Sequence, residues 1–144
     1  MEISIKDITG KAVGKVNKEV ASRAFRAANE LRNSALTVLR GRRSGRQYKK
    51  PFSRSIYTAS APGEPPAVRS GALRASWKAA AASQGESEDT VTVKPAITTD
   101  VKYAPWLQKG TRDGKIAPRP FEEPIVNGAK SKVAAIFKEP YLNK

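Results

Sequence analysis

Apolar and polar residues alternate over the first eight positions, Met-Glu-Ile-Ser-Ile-Lys-Asp-Ile. Ile3 and Ile5 fall on one face, which predicts a short half-buried strand over residues 2–8. From about Thr9 the period changes. Val13, Val16, Val20, Ala24, Ala28, Leu31, Ala35 and Val38 follow one another at spacings of three or four, the apolar stripe of an amphipathic helix. Lys11, Lys15, Lys18, Arg23, Arg26 and Arg32 lie mostly off that stripe. Gly10 and Gly14 weaken the first turns, and Gly41 marks a stop. A helix of about 30 residues is about 45 Å long at about 1.5 Å per residue, so one end is expected to reach beyond the domain.

Periodicity is lost over residues 41–69. The run from Gly41 to Ser60 is basic and contains no acid, and the Ala61-Pro62-Gly63-Glu64-Pro65-Pro66 stretch that follows is stiff and turn-forming. Gln47-Tyr48-Lys49 and Ser55-Ile56-Tyr57-Thr58 are expected to pair as a hairpin around Pro51, with Tyr48 opposite Tyr57. A short helix is expected from Ser70 or Gly71 through Leu73 to about Trp77. Residues 77–84 and 90–98 then read as an antiparallel pair, the second on the clean alternation Thr90-Val91-Thr92-Val93-Lys94. Tyr103 to Gln108 suggests one or two helical turns closed by Gly110. The last helix runs from about Phe121 to Lys138 on Ile125 or Val126, Ala129, Val133 and Phe137, and Pro140 ends it. These elements predict a single α+β domain over residues 1–144: a long N-terminal helix packed on a small antiparallel sheet, a projecting basic hairpin or loop over 41–69, and a C-terminal helix.

Composition changes the picture in two ways. Ten Val, eight Ile, six Leu and four Phe make 28 bulky apolar residues in 144, and much of the remaining apolar content is the 21 alanines. With a formal charge of +14, that poverty suggests a thin fold completed by burial against neighbours. The charge is also concentrated. Between Leu31 and Gly63 lie Arg32, Arg40, Arg42, Arg43, Arg46, Lys49, Lys50 and Arg54 with no Asp or Glu, which is +8 of the +14.

The sequence has no Cys and no His, which excludes disulfides, a Cys nucleophile, a Cys/His zinc site and a His general base. Ser70 and Ser76 beside Arg74 have no positioned base and read as capping or packing residues. Asp7, Glu30, Asp100 and Asp113 are too scattered for a carboxylate metal cluster, so hydrolase chemistry is not expected. Glu86, Glu88 and Asp89 lack the alternation and Gly of a calcium loop. No catalytic residue, metal or cofactor is expected. No run approaches the length of a membrane span and the start is not a secretory signal, so synthesis in the cytoplasm and no membrane contact are expected.

Three separated blocks carry a resemblance: Ala59-Ser60-Ala61-Pro62-Gly63-Glu64-Pro65-Pro66-Ala67 with Ser70-Gly71-Ala72-Leu73-Arg74-Ala75-Ser76; Tyr103-Ala104-Pro105-Trp106-Leu107-Gln108-Lys109-Gly110-Thr111; and Ala117-Pro118-Arg119-Pro120-Phe121-Glu122-Glu123-Pro124. In this order behind a long N-terminal helix they resemble the small tail-component proteins of long-tailed phages and prophages. That family is typified by gene product ten of a lambda-like coliphage and is variously called neck, head–tail joining or tail-completion protein. The likeness covers roughly residues 10–138. One departure is Gln108, where the family usually has an acid. The resemblance implies a non-enzymatic virion structural protein of the head–tail neck. It also implies a homo-oligomeric ring, six copies by phage-tail symmetry, between the capsid connector or head-closure protein and the tail-terminator or tail-tube protein.

Against that background Arg40, Arg42, Arg43, Arg46, Lys49, Lys50 and Arg54 are candidates for contact with DNA phosphates or with an acidic neighbour. A solvated loop carrying charge for solubility is the alternative. Trp77, Trp106, Arg119 and Phe121 are subunit-interface candidates, the tryptophans as core or interface anchors and Arg119 as a carboxylate holder across an interface. Glu122 and Glu123 sit where carboxylates favour a helix start. A basic nucleic-acid-binding module is the rival reading; it predicts tight duplex binding by isolated subunits with steep salt dependence.

Overall fold

The computed structural model describes residues 1–4, 11–12, 17–87 and 90–141. The fold is α+β. Strand β6 (Thr90–Thr98) is the spine of a four-stranded antiparallel sheet. Strand β5 (Lys78–Ser87) runs along one side of it, from Lys78 opposite Thr98 to Ser87 opposite Thr90, with an irregularity between Ser83 and Glu86. Strands β1 (Glu2–Ser4) and β2 (Lys11–Ala12) share the other side, opposite Thr98–Ala96 and Thr92–Val91 respectively. Pro95, which has no N–H to offer, sits between those two pairings, where a ladder on that side is not required.

The long helix α1 is Asn17–Val38, 22 residues, or about 33 Å at the usual rise. It is therefore shorter than expected. Lys11 and Ala12 belong to β2, not to a helix. Two neighbouring glycines at 10 and 14 disfavour helix by about 1 kcal/mol each, and pairing with β6 supplies the backbone of Lys11 and Ala12 with partners. The remainder of the expected 2–8 strand, Ile5 included, and the stripe positions Val13 and Val16 lie outside the described residues, as do Glu88 and Asp89.

One interior is built from three surfaces. Ala27, Leu31, Ala35 and Leu39 come from α1 and the residue following it, Ile3 and Ile97 from the sheet, and Ile125, Ala129, Val133 and Ile136 from the C-terminal helix α4 (Glu122–Lys138). Ile136, three residues after Val133, takes the place expected of Phe137, which is half-buried. Val20, Ala24 and Val93 form a smaller adjoining cluster. The alanines in α1 let both the sheet and α4 come close. A Cβ on Gly128 of α4 would lie 2.5 Å from the Ser34 hydroxyl, which itself donates to the Ile125 carbonyl at 2.7 Å. Small side chains make this core by closeness, not by bulk, so Ala27, Ala35 and Ala129 bury more than the count of bulky residues suggests.

Long-range polar contacts finish the helix ends. Arg23, 2% exposed, donates through Nε to Glu19 at 2.8 Å and through its two terminal nitrogens to the carbonyls of Glu139 and Pro140 beyond α4, while its guanidinium lies 3.9 Å from the Tyr141 ring centre. Gln108, on helix α3 (Ala104–Lys109), accepts from the amides of Phe121 at 2.9 Å and Glu122 at 3.2 Å, the unpaired donors at the start of α4. The short helix α2 is Ala72–Ala75. It ends before Trp77, which leads instead into β5.

Candidate functional site

The basic arm leaves the body after α1 and returns before α2. Strands β3 (Gln47–Lys49) and β4 (Ile56–Thr58) form a separate two-stranded sheet with Tyr48 opposite Tyr57. The two rings stack with centroids 5.9 Å apart and planes 29° from parallel, so the aromatic pair closes the hairpin face as cross-strand neighbours do. The tip is held by Lys50 N–H donating to Ser55 at 2.9 Å and Ser53 N–H donating to Lys50 at 3.3 Å. At its apex Phe52 has φ +57° and a fully exposed ring. Left-handed backbone is costly for a bulky residue, so the turn presents this ring at some expense in strain.

The root of the arm is clasped to the body. The Glu64 carboxylate accepts from the Ser44 hydroxyl at 2.5 Å and from the amides of Ser44 at 3.1 Å and Ala61 at 2.9 Å. Those hydrogen bonds, Ser44 first, hold its pKa down at about 2. Arg43 turns inward and donates to the carbonyls of Val38 at 2.7 Å and Pro66 at 3.0 Å. Burial lowers its pKa from the usual arginine value, and Glu64 opposes that trend. Gly45 is required by closeness: a Cβ there would sit 2.5 Å from the Ala59 carbonyl oxygen. Arg119 donates to the Ser60 carbonyl and hydroxyl, and to the Ala61 carbonyl at 3.3 Å.

These positions sort the candidate residues. Arg40, Arg42, Arg46, Lys49 and Arg54 are exposed and Lys50 is half-buried; among the described residues none of the six makes an ion pair. Arg46 lies 5.8 Å from the Tyr48 ring centre. Arg43 is not available to a partner, because carbonyls of its own chain hold it. Trp77 and Phe121, 1% and 0% exposed, are interior residues and leave no side-chain surface for an interface. Arg119 likewise serves its own chain, bridging the arm root to the segment before α4, and among the described residues holds no carboxylate. Of the four interface candidates Trp106, 57% exposed on α3, is the most exposed, and Arg119 is half-buried. Phe52 was not singled out by periodicity, because a turn carries none; its signal is an isolated aromatic after Pro51 in an otherwise polar, basic tip.

The arrangement offers diffuse positive charge with an apolar point, suited to sequence-blind contact with polyanions or acidic protein surface. Among the described residues no three acidic side chains come together to hold a metal ion, and no helix is long and apolar enough to cross a membrane. Compared with protein-family models, curated proteins and solved structures, the chain matches none.

Proposed function

We propose that the protein is a virion structural subunit of a phage head–tail interface, a neck or tail-completion protein that assembles into a ring. The ring joins the capsid connector or head-closure protein to the tail-terminator or tail tube around the DNA channel, in six copies, after synthesis in the host cytoplasm. It acts by binding and not by catalysis. The observation that carries this reading is the tip of the arm: a closed, body-clasped hairpin that shows the whole Phe52 ring, with Ile56 and Tyr48 also exposed, and with Arg46, Lys49, Lys50 and Arg54 making no ion pair among the described residues. Apolar surface displayed this way has no use within one chain and fits seating against a neighbour. Contact between an arm tip and a different surface of the next copy is heterologous, the kind that closes into rings. The three ordered sequence blocks support the same assignment.

The test is assembly of the purified full chain, alone and with connector and tail-tube proteins, followed by sedimentation velocity and negative-stain microscopy. Rings are expected, and Phe52→Asp should abolish them while leaving the circular dichroism spectrum unchanged. A chain that remains monomeric in every mixture overturns the reading. The unpaired cations also favour a second reading, a nucleic-acid-binding module. Tight duplex binding by isolated subunits, with sequence or structure preference, would select it. Its salt slope should fall by about one for each phosphate-contacting cation removed.

A further inference from the structure

A groove of about 720 Å³ opens between the arm root, α2 and α3. Leu39, Leu73, Leu107, Tyr103 and Ile116 line it. A second depression of about 410 Å³ shares Tyr57, Ala67 and Val68 with the first and continues past Arg40 and Arg42. Together they form one trough, apolar at one end and cationic at the other. No Asp or Glu lines either part. Residues of β4 contribute to the wall of both parts, whereas β3 contributes to neither. Since among the described residues β4 is paired only with β3, its other edge offers main-chain donors and acceptors to an added strand.

We propose that this trough binds an extended segment of a partner protein, its apolar side chains seated over Leu73 and Ile116 and its carboxylates reaching Arg40 and Arg42. Charge complementarity selects this occupant. Nucleic acid would have to place phosphates over the apolar end, where Arg74 and Arg119 are committed to the carbonyls of Leu36 and Ser60 and, of the three arginines lining it, Arg69 alone is exposed. The arm of a second copy is itself strongly basic, so it would meet Arg40 and Arg42 as like charge. An acidic and apolar strand satisfies both ends and the free edge of β4 at once. The trough is formed within one chain and Phe52 lines neither part, so it does not depend on ring assembly through the arm tip.

The probe is a fluorescein-labelled octapeptide of alternating valine and threonine followed by three glutamates, titrated by anisotropy into the full-length chain and into its Phe52→Asp variant. Saturable binding to both is expected. Val68→Asp, at a residue 40% exposed in the trough wall, and the pair Arg40→Glu with Arg42→Glu should each weaken it by about tenfold or more, whereas Arg54→Glu at the arm tip should not. A peptide with lysines in place of the glutamates should fail to bind. Absence of saturable binding, equal binding of the lysine peptide, indifference to Val68→Asp, or stoichiometric displacement of the peptide by duplex DNA would each overturn the proposal. Loss of rings with binding retained would bear only on the assembly reading.

Discussion

The rings of Trp77 and Phe121 stand 67° to one another with centroids 6.1 Å apart, and both are sealed from solvent. This edge-on contact joins the start of β5 to the start of α4, two places 44 residues apart in the chain (121 − 77). Each residue is flanked by a polar tie: Arg32 donates to the Trp77 carbonyl at 2.8 Å, and Gln108 accepts the Phe121 amide. The subunit thus closes its own interior around the aromatic pair. Among the described residues, the large apolar side chains that remain more than half exposed are Phe25, Phe52, Ile56 and Trp106.

Truncating one ring should therefore unfold the subunit and not merely disassemble it. Phe121→Ala is expected to cost about 3–5 kcal/mol, read as a fall in the urea midpoint that does not depend on protein concentration. In a Trp106→Phe background the remaining indole, Trp77, should emit at short wavelength and resist acrylamide quenching. Ready quenching of Trp77 in the folded chain would contradict the packing described.

Acid should release the arm root through Glu64. Its folded pKa, about 2, lies below the ordinary 4.5, so the carboxylate contributes stability that is complete above about pH 4.5 and is lost as pH falls toward 2. Protection of the Ser44 and Ala61 amides, the two main-chain donors, taken relative to the intrinsic exchange rate at each pH, should fall across that window while α1 stays protected. Glu64→Gln should show fast exchange at Ser44 already at pH 7, with the acid dependence gone. An unchanged profile in Glu64→Gln would refute the clasp.

Arg23 tests a contact between the two long helices. Its guanidinium is buried and serves Glu19, Glu139 and Pro140 at once, so Arg23→Ala leaves carbonyls and a carboxylate without their donor. A loss of about 1–3 kcal/mol is expected. Arg23→Lys should not rescue it, since a single ammonium cannot span the same fork of acceptors. Equal stability of the lysine variant in thermal melts would show that charge alone suffices there.

Local signals account for the parts of the fold that could be read directly. The alternation of Thr90 to Lys94 marks β6, and the aromatic and β-branched flanks of Pro51 give the hairpin with Tyr48 opposite Tyr57. Strand β2 was hidden because two residues cannot display a period, and the apolar spacing around it imitates a helix. The block Arg119-Pro120-Phe121 marks a place without saying which way it faces: Phe121 points in, and Arg119 bends back to Ser60, 59 residues earlier. Arg23 and the end of α4 are more than a hundred residues apart, beyond any sequence window. Among the arm's cations Arg43 turns inward, because the carbonyls it reaches, Val38 and Pro66, are brought together by the fold and not by spacing.

Phe52 separates stability from association. Its φ of +57° is a conformation glycine adopts without steric cost, and its ring touches solvent only, so Phe52→Gly removes strain and no packing. The variant should match the parent in urea titration or exceed it, by up to about 1 kcal/mol, because relief of strain is partly offset by the greater freedom of glycine in the unfolded chain. Assembly should respond oppositely. With the apolar point deleted and every cation of the arm retained, ring formation measured by sedimentation velocity should fall sharply, while low-salt binding to duplex DNA stays within about twofold, since phosphate contacts depend on charge. If rings persist in Phe52→Gly, the arm tip is not the contact that holds neighbours. If stability falls instead, the ring is packed against something and its full exposure is not the working state.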